Sequence, residues 1–149
     1  MTAKMNRTDI LRKEKRDKPY IEKHLITDFM QTVQRDIDLE VSLMGGEDVN
    51  QRDVFGFSAL YWAIFHGNMH NVKVLLACGC TLEVSASMSA PFCAVFYGQL
   101  EVLRFFIERG IDPNITRYGL TLLEFAKRLE HEEIFAYLEE RSASLGVSA

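Results

Sequence analysis

Asp53-Val-Phe-Gly56-Phe-Ser58-Ala-Leu60-Tyr-Trp-Ala63, followed by Gly67, Val72, Leu75-Leu76 and Gly79, decides how this chain folds. The same frame returns 31 residues later as Ser89-Ala-Pro91-Phe-Cys-Ala94, Gly98, Leu103, Phe106-Ile107 and Gly110. After a further 32 residues it returns again as Gly119-Leu-Thr121-Leu-Leu123-Glu-Phe-Ala126, with Phe135 and Leu138 behind it. A period of this length marks a stack of small units, none able to bury its apolar side alone. Each unit reads as a turn, a short helix, a reversal at glycine, a second helix and a glycine stop. Ser58, Ser89 and Thr121 stand where a side-chain oxygen accepts from the unpaired N–H groups of a first helix. Gly79 and Gly110 follow the second helix, where a left-handed residue is favoured and a Cβ is not. Val72, Leu75 and Leu76, matched by Leu103, Phe106 and Ile107, share a helical face and are expected in the core.

These residues resemble the ankyrin repeat, whose family form is D-x-x-G-x-T-P-L-H-x-A, a G-H turn, then V-x-x-L-L-x-x-G-A-D-V-N. The resemblance covers about residues 25–140 and is supported by Gly46-Glu-Asp48-Val49-Asn50 and Gly110-Ile-Asp112-Pro-Asn114. The T-P-L-H tetrad is degenerate, reading Ser58 to Tyr61, Ser89 to Phe92 and Thr121 to Glu124, and Ser87 replaces the turn glycine of the middle unit. The resemblance implies an all-α solenoid of three to four helix-turn-helix repeats with short hairpin fingers. Upstream, Phe29, Val33 and Ile37 continue a helical spacing begun at Ile21, and Leu39 to Met44 runs into Gly45-Gly46, which suggests an irregular first repeat. Downstream, Glu130 to Glu140 carries carboxylates on one side and Ile134, Phe135 and Leu138 on the other, as a terminal cap facing water should.

The 149 residues are 48% hydrophobic and 26% charged, which excludes wholesale disorder and fits one domain. The expected division is a basic arm at 1–18, the repeat domain at 19–141 and a disordered tail at 142–149. The arm carries seven basic and three acidic residues, leaving ten basic against eighteen acidic on the remainder, a balance of −8. Nucleic acid is therefore not an expected partner, because phosphate recognition needs a basic folded surface. No apolar run approaches the ~18 residues of a membrane span, so a cytoplasmic protein without membrane contact is expected.

Nothing in the sequence carries catalysis. Cys78, Cys80 and Cys93 form no CxxC pair. His66 and His70 are four apart, but Gly67 and Asn68 between them belong to the inter-helix turn, so they should not share a metal. Adjacent acids such as Glu132-Glu133 diverge by about 100° on a helix and cannot share a proton. No metal, no cofactor and no enzymatic activity are expected.

The resemblance implies protein recognition, since the family contacts its partners through the fingertips and the last turn of the first helix. Carried onto this chain, the partner-binding residues are Val54, Phe55, Phe57, Phe65 and His66, then Met88, Phe96 and Tyr97, then Arg117, Tyr118 and Arg128, on an aromatic-lined concave face. The partner is expected to be another protein, a basic one being favoured by the acidic body. The alternative is an immunity or inhibitor protein that occludes the active site of a toxin or effector.

Overall fold

A computed structural model describes residues 29–146, with side chains described through Ser142. Expectations for the arm at 1–18 and for Ile21 to Ile26 lie outside the described residues, as do the last residues of the tail. The described residues open on helical backbone at 29–34 (α1), pass a 3-10 turn at Val41–Leu43 and then form three helix pairs. These are α2 (Ala59–His66) with α3 (Met69–Ala77), α4 (Ala90–Phe96) with α5 (Leu100–Glu108), and α6 (Leu122–Arg128) with α7 (Glu132–Gly146). α7 therefore continues past the boundary drawn at residue 141, and the tail is helical as far as Gly146.

Two antiparallel hairpins project between the pairs: β1 (Glu83–Ser85) with β2 (Met88–Ser89), and β3 (Thr116–Arg117) with β4 (Leu120–Thr121). A third finger, at Arg52 to Ser58, closes on a single bridge between those two residues. The last hairpin turns on Tyr118 and Gly119, with φ of 54° and 79°, the two-residue left-handed turn that matches strand twist. The middle hairpin turns on Ala86-Ser87, with a register irregularity between Glu83 and Ser85 and neither turn residue left-handed. That geometry is why Ser87 can stand where the other units have glycine.

Side chains at equivalent positions fill one continuous core. Leu60, Ile64, Val72 and Leu75 meet Val95, Leu103 and Phe106 and then Leu122, Ile134 and Leu138, all buried. Leu76, expected in the core, is only half-buried, because it lies at the edge of the face that Val72 and Leu75 bury, and Ile37 departs further. Helix α1 stops at 34, Asp36 adopts φ 62°, and Ile37 emerges 52% exposed. Ser58 Oγ caps α2 through the Tyr61 N–H, and Thr121 with Glu124 forms a reciprocal capping box on α6. Ser89 makes no side-chain cap. Pro91 in the first turn has no N–H to cap, and the Ala90 N–H donates to the Leu82 carbonyl at 2.6 Å.

The reversal between paired helices falls on Gly67 and Gly98 at φ 69° and 68°, and on Asp36 and Glu130 at φ 62° and 59° in the outer units. The next unit covers each inner glycine. A Cβ on Gly67 would lie 2.7 Å from Gln99 Oε1, and one on Gly98 would lie 3.2 Å from His131 Cε1. Gln99 and His131 reach this position because they bond backward, to the carbonyls of Phe65 at 3.0 Å and Phe96 at 3.2 Å. His131 is thus an inter-repeat tie. On the second helices, Lys73 and Arg109 both lie over the Phe105 ring, and Arg104 and Arg141 over Tyr137, repeating one arrangement in successive units.

At the first interface the neighbour is loop rather than a second helix, and the side chains change accordingly. Buried Asn71 donates to the Ile37 carbonyl at 2.9 Å and accepts from the Leu39 N–H at 2.7 Å. His70 Nε2 meets the Leu39 carbonyl, and Asn68 donates to Asp36 and Asp38. The residues equivalent to Asn71 in the later units are Val102 and Ile134, both buried against helices that bond themselves internally. Asn71→Val should therefore lower stability by about 1–3 kcal/mol, the cost of an orphaned buried donor, in urea titration monitored by circular dichroism. Leu75→Ala, fully buried, should cost about 2–5 kcal/mol in the same assay.

Candidate protein-binding face

The first helices and the fingers bring the aromatic residues together. Phe57 stacks on Tyr61 with ring centres 3.8 Å apart, Tyr61 meets Tyr97 edge-on at 5.7 Å, and Tyr97 meets Phe65 at 5.0 Å and Phe96 at 4.9 Å. Phe96 then faces Phe125 at 6.3 Å, and Phe125 meets Phe92 at 5.6 Å. Trp62 sits edge-on to Tyr61 and to Phe65, at 5.3 and 5.6 Å. Three aromatic residues on α2 (Tyr61, Trp62, Phe65), two on α4 followed by Tyr97, and Phe125 on α6, stacked at a repeat of 31 or 32, account for the continuity of this wall.

Asp53 anchors its finger end. One carboxylate oxygen accepts from the Phe55 and Phe57 N–H groups at 2.9 and 3.0 Å; the other accepts from the Trp62 indole at 2.7 Å and the Gln34 amide at 3.0 Å. Burial pushes its carboxyl up, but the donors from Phe57, Trp62, Phe55 and Gln34 outweigh that and hold it below the ordinary carboxylate value of 3.8. The indole is thus fixed toward the finger, with its ring edge on Phe65.

The eleven residues singled out by sequence divide into two groups. Val54 (93% exposed), Phe55 (69%) and Tyr118 (79%) stand at the outer fingertips, Phe65 and Phe96 are each 41% exposed on the last helical turns, and Arg128 is exposed on the third. The other five are half-buried. Phe57 is held by its stack on Tyr61, and the Tyr97 hydroxyl is hydrogen-bonded to that of Tyr61. His66 Nε2 donates to the Gln34 carbonyl at 2.8 Å. Arg117 bonds the Ser87 carbonyl and pairs with Glu83 at 3.1 Å, tying the last finger to the middle one. Met88 packs against the core.

Sequence reasoning missed Tyr61, Trp62 and Phe125 as parts of this wall. Their equivalence across units is visible in the period, since Trp62, Cys93 and Phe125 share one frame position.

Two of the three thiols are held in the protonated form. Burial pushes Cys93 up to about 12, and burial with the neighbouring Cys78 pushes Cys80 up to about 11. Burial, and then the Tyr97 hydroxyl, also raises Tyr61 above the ordinary phenol range. Among the described residues no group of three or more His, Cys, Asp or Glu is placed to hold a metal. His66 and His70 each bond a backbone carbonyl of the preceding unit. No helix among the described residues is long and apolar enough to cross a membrane.

The Asp53 anchor yields a pH prediction. A carboxyl held below its ordinary value contributes stability that is present above 3.8 and is lost as pH falls through the lower folded value. Wild type should therefore be more stable than Asp53→Asn at neutral pH, and the gap in thermal midpoint should close below about pH 4.

The comparison with known families agrees with this architecture. A family model described as ankyrin repeats, in three copies, matches residues 29–117, more than half of the chain. The matched span runs from α1 through the first strand of the last finger and takes in two complete helix pairs. With its helix pairs, hairpin fingers and left-handed glycine turns, this chain belongs to the ankyrin-repeat family.

Proposed function

We propose that the protein binds a partner protein through the exposed side chains of the aromatic wall and the outer fingertips. Ankyrin repeats are generally protein-interaction modules and typically non-enzymatic, and the fold itself does not choose the partner. The observation that carries the choice of surface is the row of Phe65 and Phe96, each 41% exposed although embedded in a ring cluster. At the fingertips Phe55 and Tyr118 are exposed to a still greater fraction. Large rigid rings supply contact area at little cost in side-chain entropy, and apolar patches of this kind mark interaction sites.

The half-buried group supports the face instead of forming it. Tyr97, His66, Arg117 and Phe57 are engaged within the protein, so they fix where Phe65, Phe96 and the fingertips stand. Occlusion of an enzyme's active site, as an inhibitor or immunity protein would achieve it, would use the same surface; a partner whose activity falls on binding would identify that case.

Phe65→Ala with Phe96→Ala should leave the thermal midpoint within a few degrees of wild type. The same double substitution should weaken the complex at least tenfold, about 1.4 kcal/mol, by isothermal titration with the native partner. Unchanged affinity in a folded variant would move the binding surface elsewhere. Tyr97→Ala should instead lower the midpoint, because it removes a ring packed against three others and leaves the Tyr61 hydroxyl without its partner.

A further inference from the structure

The binding face proposed above has a register that limits what fits on it, and the following inference rests on that reading. Phe65, Phe96 and Arg128 occupy one position in the repeat frame, in the last turn of each first helix: Phe65 is one residue before the end of α2, and Phe96 and Arg128 end α4 and α6. Packed helices lie about 8–10 Å apart, so the three side chains form a row in steps of about that length.

The charge of this row differs from that of the body. Asp53 and Glu83, in the first and middle fingers, are engaged, by Trp62 and Gln34 and by Arg117. Glu124 is turned back on the Thr121 N–H as part of the capping box. Arg128 and the adjacent Lys127 are exposed, and among the described residues the ion pairs, Arg104 with Glu101 and Arg117 with Glu83, involve neither of them. Exposed carboxylates lie on the last two second helices and an inter-helix turn, as at Glu108, Glu130, Glu133 and Glu140, and in the loops before the fingers, as at Asp48 and Asp112. The net charge that favoured a basic partner therefore does not describe the row itself.

We propose that the row is read by an amphipathic helix of the partner protein. It seats two apolar residues one heptad apart on Phe65 and Phe96, and a carboxylate one heptad further against Arg128. A heptad advances about 10.5 Å along a helix, which matches the step of the row. A strand repeats its same-face side chains at about 6.6 or 13 Å and falls out of register. A polyproline helix matches the step at about 9.3 Å per three residues. It is more slender than an α-helix of about 10–12 Å diameter and covers less of the exposed rings of Phe65 and Phe96.

Selection of a displayed library of 21-residue helical peptides on the full chain tests this. The expected consensus has apolar residues at i and i+7 with Asp or Glu at i+14, in either chain direction. Arg128→Glu should weaken these peptides about fivefold, the upper range of an exposed ion pair, and selection on that variant should replace the acid by Lys or Arg. Phe65→Ala with Phe96→Ala should abolish binding of both sets.

Peptides lost in the phenylalanine variant but indifferent to Arg128→Glu would overturn the charge register and leave the binding face standing. A consensus of prolines three apart would overturn the helical occupant. Peptides indifferent to both variants, or no binder at all, would overturn the face together with this inference.

Discussion

Each helix pair in this chain has an apolar side that only the neighbouring pair can cover, and every other feature follows from that dependence. Leu75 and Phe106 are buried because they face across a joint between units as well as within one. Stacking must therefore hold each unit in one register. The polar ties do this: Gln99 to the Phe65 carbonyl, His131 to the Phe96 carbonyl, and Arg52 and Arg117 to the middle finger. The paired cations over Phe105 and Tyr137 repeat the arrangement on the second helices. A shift of one unit along its neighbour would break these together, so the wall of first-helix aromatics is positioned by interactions made elsewhere in the stack.

Much of this was legible in the sequence because the period reports it directly. Leu75, Phe106, Gly67, Gly98, Gly79 and Gly110 recur in frame, and the structure places the four glycines in left-handed turns and the two large residues in the core. What the period hides is a position where different residues do the same backbone work. Asp36 and Glu130 take the left-handed conformation that glycine holds in the middle units, at a conformational cost a sequence pattern does not display. Ile37 fits a helical spacing yet emerges exposed, because the helix ends before the pattern does.

The surroundings of the candidate face were legible to a lesser degree for a related reason. The family's contact positions, carried onto the frame, singled out Phe65, Phe96, Phe55 and Tyr118, and their exposure follows from their place at helix ends and fingertips. Whether a polar side chain is free depends on partners about 30 residues distant. His66 meets Gln34 and Arg117 meets Glu83, pairings that only the stack creates. Trp62 was overlooked because its role rests on Asp53, nine residues earlier, whose carboxylate gathers four donors from a finger, an indole and the preceding unit.

Asn71 also bears on how such a chain can be rearranged. Its amide matches only the loop at Ile37 to Leu39, whereas Val102 and Ile134 match only helices. The units are consequently not interchangeable bricks. Duplicating the second helix pair ahead of the first would set the Asn71 amide against a helix with no free backbone groups, and deleting it would do nothing to relieve the loop. This side chain works as an address label, permitting growth at the far end of the array while fixing which unit must come next to the irregular start.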